Sequence, residues 1–479
     1  MNRQFQYYLS WSWSTSCIFN TLLILLVNSA LQAQEVKEDR PNIVIILADD
    51  LGWADININD PLQRHFYETP HIDQLAREGM RFANGYSNGA NCSPTRAALL
   101  SGQYYPHQPI YHVGQPGKGK MISAENGVSL PSSKVTIAES LKILGYKTGF
   151  IGKWHIGDVP DTGPLQQGFD INIGGYHAGN PGGWPGGYFQ PNNNPHIDDA
   201  FEGEYLTDYL SRKAVSFIKE NKDNAFYLQF SMYTPHSPYQ AKSEYEEKYQ
   251  TKTGEAGHNH AGYAAMIESM DESVGNIMNA LKELGLEENT LFIFCSDNGG
   301  RGGYDFLGHS DNDITSNAPL KSGKGSFYEG GIRVPMMIKW PRKIPAQSLS
   351  EEAVMTIDFY PTILAAVGSR APSDYLLDGE NLLPLLTGQI SHLQRENIYW
   401  HFPGYPNSPW RTSPVSVIRS GDWKLMRFYE DDKLELYNLG NDVGEKVDLS
   451  LQYPEIRNNL FDKLQHWLKE NKAPMPTRR

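Results

Sequence analysis

PNIVIILADDLG, residues 41–52, carries an unbroken apolar run from Ile43 to Leu47 and stops at two adjacent carboxylates, Asp49 and Asp50. A strand with one wet face alternates apolar and polar residues, whereas a strand covered on both faces does not. The run is therefore read as a central strand of a parallel sheet. TLFIFCSDNGG (290–300) repeats the pattern and ends in Asp297 and Asn298. Helical signals separate the strands. Thr69 and Pro70 supply a cap and a first-turn proline for HIDQLAREG. Thr136 and Glu139 make a capping-box pattern ahead of SLKILG, and TGFIGKWH (148–155) and NAFYLQFSM (224–232) follow as strands. From Tyr263 to Leu284, Met266, Met270, Val274, Ile277, Leu281 and Leu284 recur at helical spacing, a packing stripe closed by Gly285. This alternation predicts an α/β sandwich around a large, mostly parallel sheet.

The tail reads differently. After about residue 370, DWKLMRFYEDDKLELYNL (422–439) predicts an antiparallel hairpin turning near Asp431 and Asp432. A last helix aligns Ile456, Leu460, Leu464 and Leu468 on one stripe. The expected organisation is a signal segment over 1–33, a catalytic α/β domain over 34–370, and a smaller α+β subdomain with an antiparallel sheet over 371–479.

At the N-terminus, Arg3 precedes an apolar run from Ile18 to Val27, broken by Asn20 and Thr21, and small residues lead to Ala33. The pattern is that of a secretory signal cleaved after Ala33 and is too short to span a bilayer comfortably. Export to the periplasm or medium, without stable membrane insertion, is expected. Of the three cysteines, Cys17 would leave with the signal and Cys295 lies in the apolar run LFIFC, where a buried thiol is the simplest reading. Cys92, beside Pro94 and Arg96, is left without a structural purpose. The formal net charge of −13 argues against nucleic acid as a partner.

Chemistry concentrates at the strand ends. Sites in parallel sheets form at the carboxyl ends of strands, so Asp49, Asp50, Asp297 and Asn298 can converge. Each pair alone reads as well as a turn or cap; together they make an all-oxygen set suited to Ca²⁺, or less well Mg²⁺. Lys153 and His155, two apart in an extended segment, point to one side. His236 lies between prolines, and Lys321 and Lys324 lie in a glycine-rich loop. Beside a divalent cation, such groups form a cradle for a tetrahedral oxyanion. Cys92 fits poorly, because a hard metal is a poor companion for sulfur.

CSPTR, Cys92 to Arg96, resembles the C-x-P-x-R signature of the type I sulfatases of the alkaline-phosphatase-like superfamily. PNIVIILADDLG, CSPTRAALLSG, TGFIGKWHIG, TPHSP, SDNGG and GKGSFYEGGIRVP all stand in that family's order. The resemblance implies an alkaline-phosphatase-like sandwich and sulfate-ester hydrolysis. It implies that Asp49, Asp50, Asp297 and Asn298 hold calcium and that a maturation enzyme converts Cys92 to formylglycine, whose oxygen also faces the ion. Arg96 then matches the guanidinium that orients residue 92, and Lys153, His155, His236 and Lys324 match the groups around sulfate and leaving oxygen. Lys324, not Lys321, matches the family's constant lysine. The sequon Asn91-Cys92-Ser93 is read as coincidence.

The expected substrates are sulfated polysaccharides or oligosaccharides, algal ones among them. Aromatic residues in the loop 174–195 (Tyr176, Trp184, Tyr188, Phe189), with Trp410 from the smaller subdomain, are candidate sugar-stacking groups, and Arg411 a candidate for a uronic carboxylate. Loop packing is the competing reading for the aromatics. Alternatives are a phosphonate monoester or phosphodiester hydrolase of the same superfamily, and a non-catalytic carbohydrate-binding protein.

Overall fold

The seven residues of β1 (Asn42–Ala48) are all buried, as the unbroken apolar run requires. The protein is described by a computed structural model over residues 40–158, 160–408 and 411–479. The expected signal segment and Trp410 lie outside those residues.

The remaining strands are β2 (Met80–Tyr86), β3 (Met121–Ile122), β4 (Lys147–Gly152), β5 (Ile171–Ile173), β6 (Phe226–Ser231) and β7 (Thr290–Ser296). After them come β8 (Met336–Lys339), β9 (Ser348–Met355), β10 (Asn397–Phe402), β11 (Val415–Ser420), β12 (Trp423–Phe428), β13 (Leu434–Asn438) and β14 (Thr477–Arg478). The main sheet has eight strands in the order β5-β4-β6-β1-β7-β8-β2-β9. Only β8 runs against the rest, antiparallel to both β7 and β2. β1 lies between β6 and β7, with Leu47 level with Ser231 and Cys295. The ends of these three strands therefore open on the same edge of the sheet.

Period-two geometry divides β1 between two cores. Val44 and Ile46 pack with the helices Leu206–Glu220 and Ala261–Glu283 through Leu210, Phe217, Met270 and Ile277. Ile43, Ile45 and Leu47 face the other way, onto Leu99, Leu141, Phe359 and Ile363 of the helices Cys92–Ser101, Ile137–Ile143 and Phe359–Ala366. Burying each such side chain is worth about 1.5–3 kcal/mol. Helices thus cover both faces, and the expected sandwich is present.

Two local expectations resolve differently. Thr136 caps its helix as a full capping box with Glu139. Thr69 makes no side-chain cap; Asp271, from the helix Ala261–Glu283, accepts the His71 and Ile72 N–H groups at 3.1 and 2.8 Å. A carboxylate from a distant helix has taken the place of the local Thr69 hydroxyl, which sequence spacing could not reveal.

The C-terminal hairpin is β12–β13, within a four-stranded antiparallel sheet ordered β10-β11-β12-β13. Leu460, Leu464 and Leu468 of the helix Pro454–Glu470 cover one face through Ile418, Leu425 and Leu436. The other face packs through Trp400, Phe402, Val415 and Val417 against Tyr86, Ala98 and Tyr104. Leu382, Leu385 and Leu386 still pack on the main sheet, and β14 returns to pair with β3 in a separate two-stranded sheet. Among the described residues no helix is long and apolar enough to cross a membrane.

Candidate active site

The site forms where β1, β7, β4 and β6 end. Asp49 and Asp50 follow β1 directly, and Asp297 and Asn298 follow β7; all four are buried. Asp50 has a φ of 66°. The Tyr263 hydroxyl, which also donates to Asp55 at 2.6 Å, holds the Asp50 carbonyl at 3.1 Å, and the Asp50 N–H donates to Asp297 Oδ1 at 3.2 Å. The backbone there is tied to two other elements and cannot relax as a free turn would.

Each carboxylate meets a cation. Lys153 Nζ donates to both Asp49 oxygens at 2.8 and 2.7 Å. Arg96 donates to Asp297 Oδ2 from Nε and Nη2 at 3.0 and 2.7 Å, and from Nη1 to the Lys153 carbonyl at 2.7 Å. Lys324 Nζ donates to Asp50 Oδ2 at 2.6 Å. Burial opposes charge on Asp50, but Lys324 and His236 outweigh it and hold its pKa well below the usual carboxylate range. Burial and the neighbouring charge of Asp49 push Asp297 up to about 6, against Arg96. The three acids and three bases balance, so a bound divalent cation would leave the pocket with a net charge of about +2, suited to an anionic substrate.

Cys92 is the first residue of its helix, with Asn91 at the N-cap, and its Sγ lies 4.0 Å from Asp50 Oδ1. Burial pushes the thiol up to about 12, against Lys153 and Lys324. Arg96 stands one helical turn further on, which sets its guanidinium beside residue 92. Asn91 is itself buried, which leaves no room for a glycan. Cys295 is a buried free thiol in β7, and Cys92 is likewise unbridged.

Gly152, the last residue of β4, has a φ of 104°, and a Cβ there would fall 1.9 Å from the Ser231 carbonyl. This turn aims Lys153 at Asp49. It also corrects the expectation that Lys153 and His155 lie in one extended segment: the strand has ended, and His155 has a φ of 60°. His155 still stands beside the cluster. Burial first, then Lys153, Arg96, His236 and Lys324, hold its pKa well below the usual value. His236 Nε2 lies 3.5 Å from Asp50 Oδ2, while Nδ1 faces the Ser237 carbonyl at 2.8 Å. A proton on Nδ1 satisfies that carbonyl and leaves a lone pair on Nε2. Burial and Lys324 push His236 down to about 3.

The structure thus brings Asp49, Asp50, Cys92, Arg96, Lys153, His155, His236, Asp297, Asn298 and Lys324 to one pocket. Ligand atoms of Asp49, Asp50, Cys92 and His236 lie within 4.8 Å of one another. Lys321 points elsewhere, donating to the Glu445 carbonyl at 3.2 Å above the Tyr328 ring. The pocket fits a hard cation: its donors are mostly oxygens, and Asn298 Oδ1 is buried with no hydrogen-bond partner while its amide N–H₂ donates to Asp50. A buried amide oxygen left bare is costly unless something takes it.

The aromatic loop is mostly scaffold. Tyr188 is fully buried and its hydroxyl bonds the carbonyls of Tyr233 and His236, so it braces His236 instead of stacking on sugar. Phe189 packs on Tyr205, and Tyr176 is buried against Trp184. Trp184 and Phe189 are the part-exposed members of the four, both leaning on the core beneath the loop. Sequence reading singles out neither Tyr263 nor Asp55 for the site, and it gives Tyr188 a sugar-stacking role in place of its bracing one. A single aromatic or acid carries no motif, and Tyr263 reaches Asp50 and Asp55 from a helix remote from them in the chain.

A family model described as "Sulfatase" matches residues 41–369, and a second, "N-sulphoglucosamine sulphohydrolase, C-terminal", matches 323–471. The chain is 34% identical to a protein named "Sulfatase" from Formosa agariphila, over 94% of this chain and 93% of that one. It is 32% identical to N-acetylgalactosamine-6-sulfatase of Mus musculus, over 88% and 79% of the respective lengths. Among solved structures, Ps i-CgsB in complex with k-i-k-neocarrahexaose superposes with a TM-score of 0.75 at 31% identity, over 91% of this chain and 94% of that one.

Proposed function

The chain belongs to the sulfatase family and hydrolyses sulfate esters, and we propose that its esters are those of sulfated carbohydrates, cleaved with bound calcium and a formylglycine made from Cys92. The relatives supporting the carbohydrate reading are the mammalian aminosugar sulfatase and the structure holding an oligosaccharide. The observation that carries the chemistry is the bare Asn298 Oδ1, buried among three carboxylates beside Cys92. Family membership sets aside the non-catalytic alternative.

Asp49, Asp50, Asp297 and Asn298 would hold the calcium ion, whose charge favours a nucleophilic oxygen at neutral pH. Formylglycine at position 92 would supply, once hydrated, a geminal pair of hydroxyls as the nucleophile and as the group that lets sulfate leave with the aldehyde restored. Arg96, fixed by Asp297 and the Lys153 carbonyl, holds that side chain in place. Lys153 and Lys324 are the charged donors for sulfate oxygens. His236 Nε2 carries a lone pair in the tautomer that Ser237 favours, so it accepts a proton before it can give one to a leaving alkoxide; Lys324 already carries its proton.

Export after cleavage at Ala33, and maturation by a formylglycine-generating enzyme, belong to the same proposal. The N-terminal residue of the secreted protein tests the first; the mass of the peptide containing residue 92 tests the second. Sulfate release from defined sulfated oligosaccharides, set against phosphonate and phosphodiester cleavage with matched leaving groups, tests the substrate. Faster phosphonate or phosphodiester turnover, or sulfate release confined to aryl esters, overturns it.

A further inference from the structure

Lys153, Lys324 and Arg96 are each matched to a carboxylate; Arg301 is not. It follows the metal-site segment directly, three residues after Asn298, and the Gly300 carbonyl accepts the Lys324 backbone N–H at 3.0 Å. Arg301 is therefore fastened to the loop that aims Lys324. Its Nε is buried without a hydrogen-bond partner, and among the described residues no carboxylate reaches ion-pair distance of its guanidinium. Asp313 is the acid that feels its charge, but the Asp313 carboxylate already accepts the Tyr304 backbone N–H at 3.2 Å. Arg301 also meets the Tyr239 side chain, which in turn feels Asp50 and Lys324.

A second guanidinium approaches the same place from the C-terminal part of the chain. Arg411 lies over the Tyr304 ring at 5.2 Å, and the Tyr304 hydroxyl donates to the Lys324 carbonyl at 2.7 Å. Its stem runs across Gly325, where a Cβ would fall 2.8 Å from Arg411 Cδ and where φ is 86°. Tyr304 thus feels Arg411, Lys324, Asp50 and Arg301 together. Arg411 on Tyr304 and Arg301 on Tyr239 thus flank the lysine of the sulfate pocket, and neither belongs to the three acid–base pairs that line it.

We propose that Arg301 and Arg411 bind a second anionic group on the substrate, a further sulfate or a uronic carboxylate on the sugar that carries the scissile ester. Planar guanidinium forks suit both groups. The inference rests on the carbohydrate reading and narrows it to polyanionic saccharides.

The test is a ratio: kcat/KM for a disulfated or uronate-linked galactose or N-acetylgalactosamine ester over kcat/KM for the matched monosulfate. The purified enzyme is expected to prefer the second anion, more strongly at low salt. Arg301→Gln is expected to lower the ratio roughly 10- to 100-fold, the size of one charge-assisted hydrogen bond. Arg301→Lys is expected to fall between the two, and Arg411→Gln to lower the ratio in the same direction. The sulfate and carboxylate arms identify which anion is read. A ratio near one in the unmodified enzyme overturns the proposal without any variant having to fold, and so does a ratio unchanged by Arg301→Gln. Turnover of aryl sulfate with none of any saccharide is a distinct result that sinks the carbohydrate reading itself.

Discussion

Removing Lys324 separates the metal site from the chemistry by stability alone. Lys324 Nζ and Asp50 Oδ2 are 2.6 Å apart, and both side chains are largely buried. At an effective dielectric constant of ~20 their attraction is about 6 kcal/mol. Part of that is offset by the desolvation of Lys324, and breaking one partner out of a buried pair costs about 3–5 kcal/mol. His236 at 3.5 Å and the Asn298 amide at 2.8 Å remain as weaker partners, which favours the lower end. Lys324→Ala is therefore expected to be about 3 kcal/mol less stable than the parent in chelator. Calcium replaces the missing charge on Asp50, so saturating calcium should restore most of the loss. By linkage, the variant should bind calcium roughly 100-fold more tightly than the parent, while its turnover falls. Urea denaturation followed by tryptophan fluorescence, repeated across a calcium titration, measures both effects. Equal stability in chelator and superimposable calcium titrations would refute the pairing of Lys324 with a metal-binding Asp50.

Cys92→Ala is expected to fold and bind calcium but to lose sulfate release, and protein from a host unable to modify Cys92 should behave alike; full activity in either removes the formylglycine assignment. Tyr263→Phe deletes the donor that holds the Asp50 carbonyl and Asp55, and should cost about 1–3 kcal/mol of stability and roughly 10-fold in calcium affinity. Unchanged calcium binding by calorimetry would make that hydroxyl purely structural. A pH effect is expected at the joint between the two sheets, where Lys424 reaches Glu329 at 2.9 Å and Glu445 at 2.8 Å. Burial and the adjacent Glu329 push Glu445 up to about 7, despite Lys424. A carboxyl that binds its proton more tightly when folded favours the fold below the unfolded pKa and loses that contribution as pH rises through about 7. Glu445→Gln should flatten the fall in stability between about pH 4.5 and pH 7, measured by denaturation at both ends; an identical slope in variant and parent contradicts the reading.

The strands and the motif residues were legible because their signals are local. The Ile43–Leu47 run needs apolar cover on both faces, and two such runs ending in carboxylates are enough to place Asp49, Asp50, Asp297 and Asn298 at one sheet edge. The capping box at Thr136 was readable for the same reason, since both of its partners lie within one helical turn. Where the physics is long-range, sequence spacing misleads or is silent. Thr69 yields its capping role to Asp271, 200 residues beyond the His71 N–H that it accepts. His155 departs from strand alternation because Gly152 turns the chain before it. Tyr188 reads as a sugar platform, yet only the fold shows its hydroxyl spent on the carbonyls beside His236.

By itself the sequence determined the sandwich, the donor chemistry at the strand ends and the identity of the residue in CSPTR around which the site is built. The tertiary structure decided which cation meets which acid: Lys153 with Asp49, Arg96 with Asp297, Lys324 with Asp50. It also decided that Arg301 and Arg411 stand outside those pairs, and that Lys321 is turned away. The physical reason is that hydrophobic periodicity and capping act over a few residues, whereas pairing of buried charges depends on which strand ends the folded sheet makes neighbours.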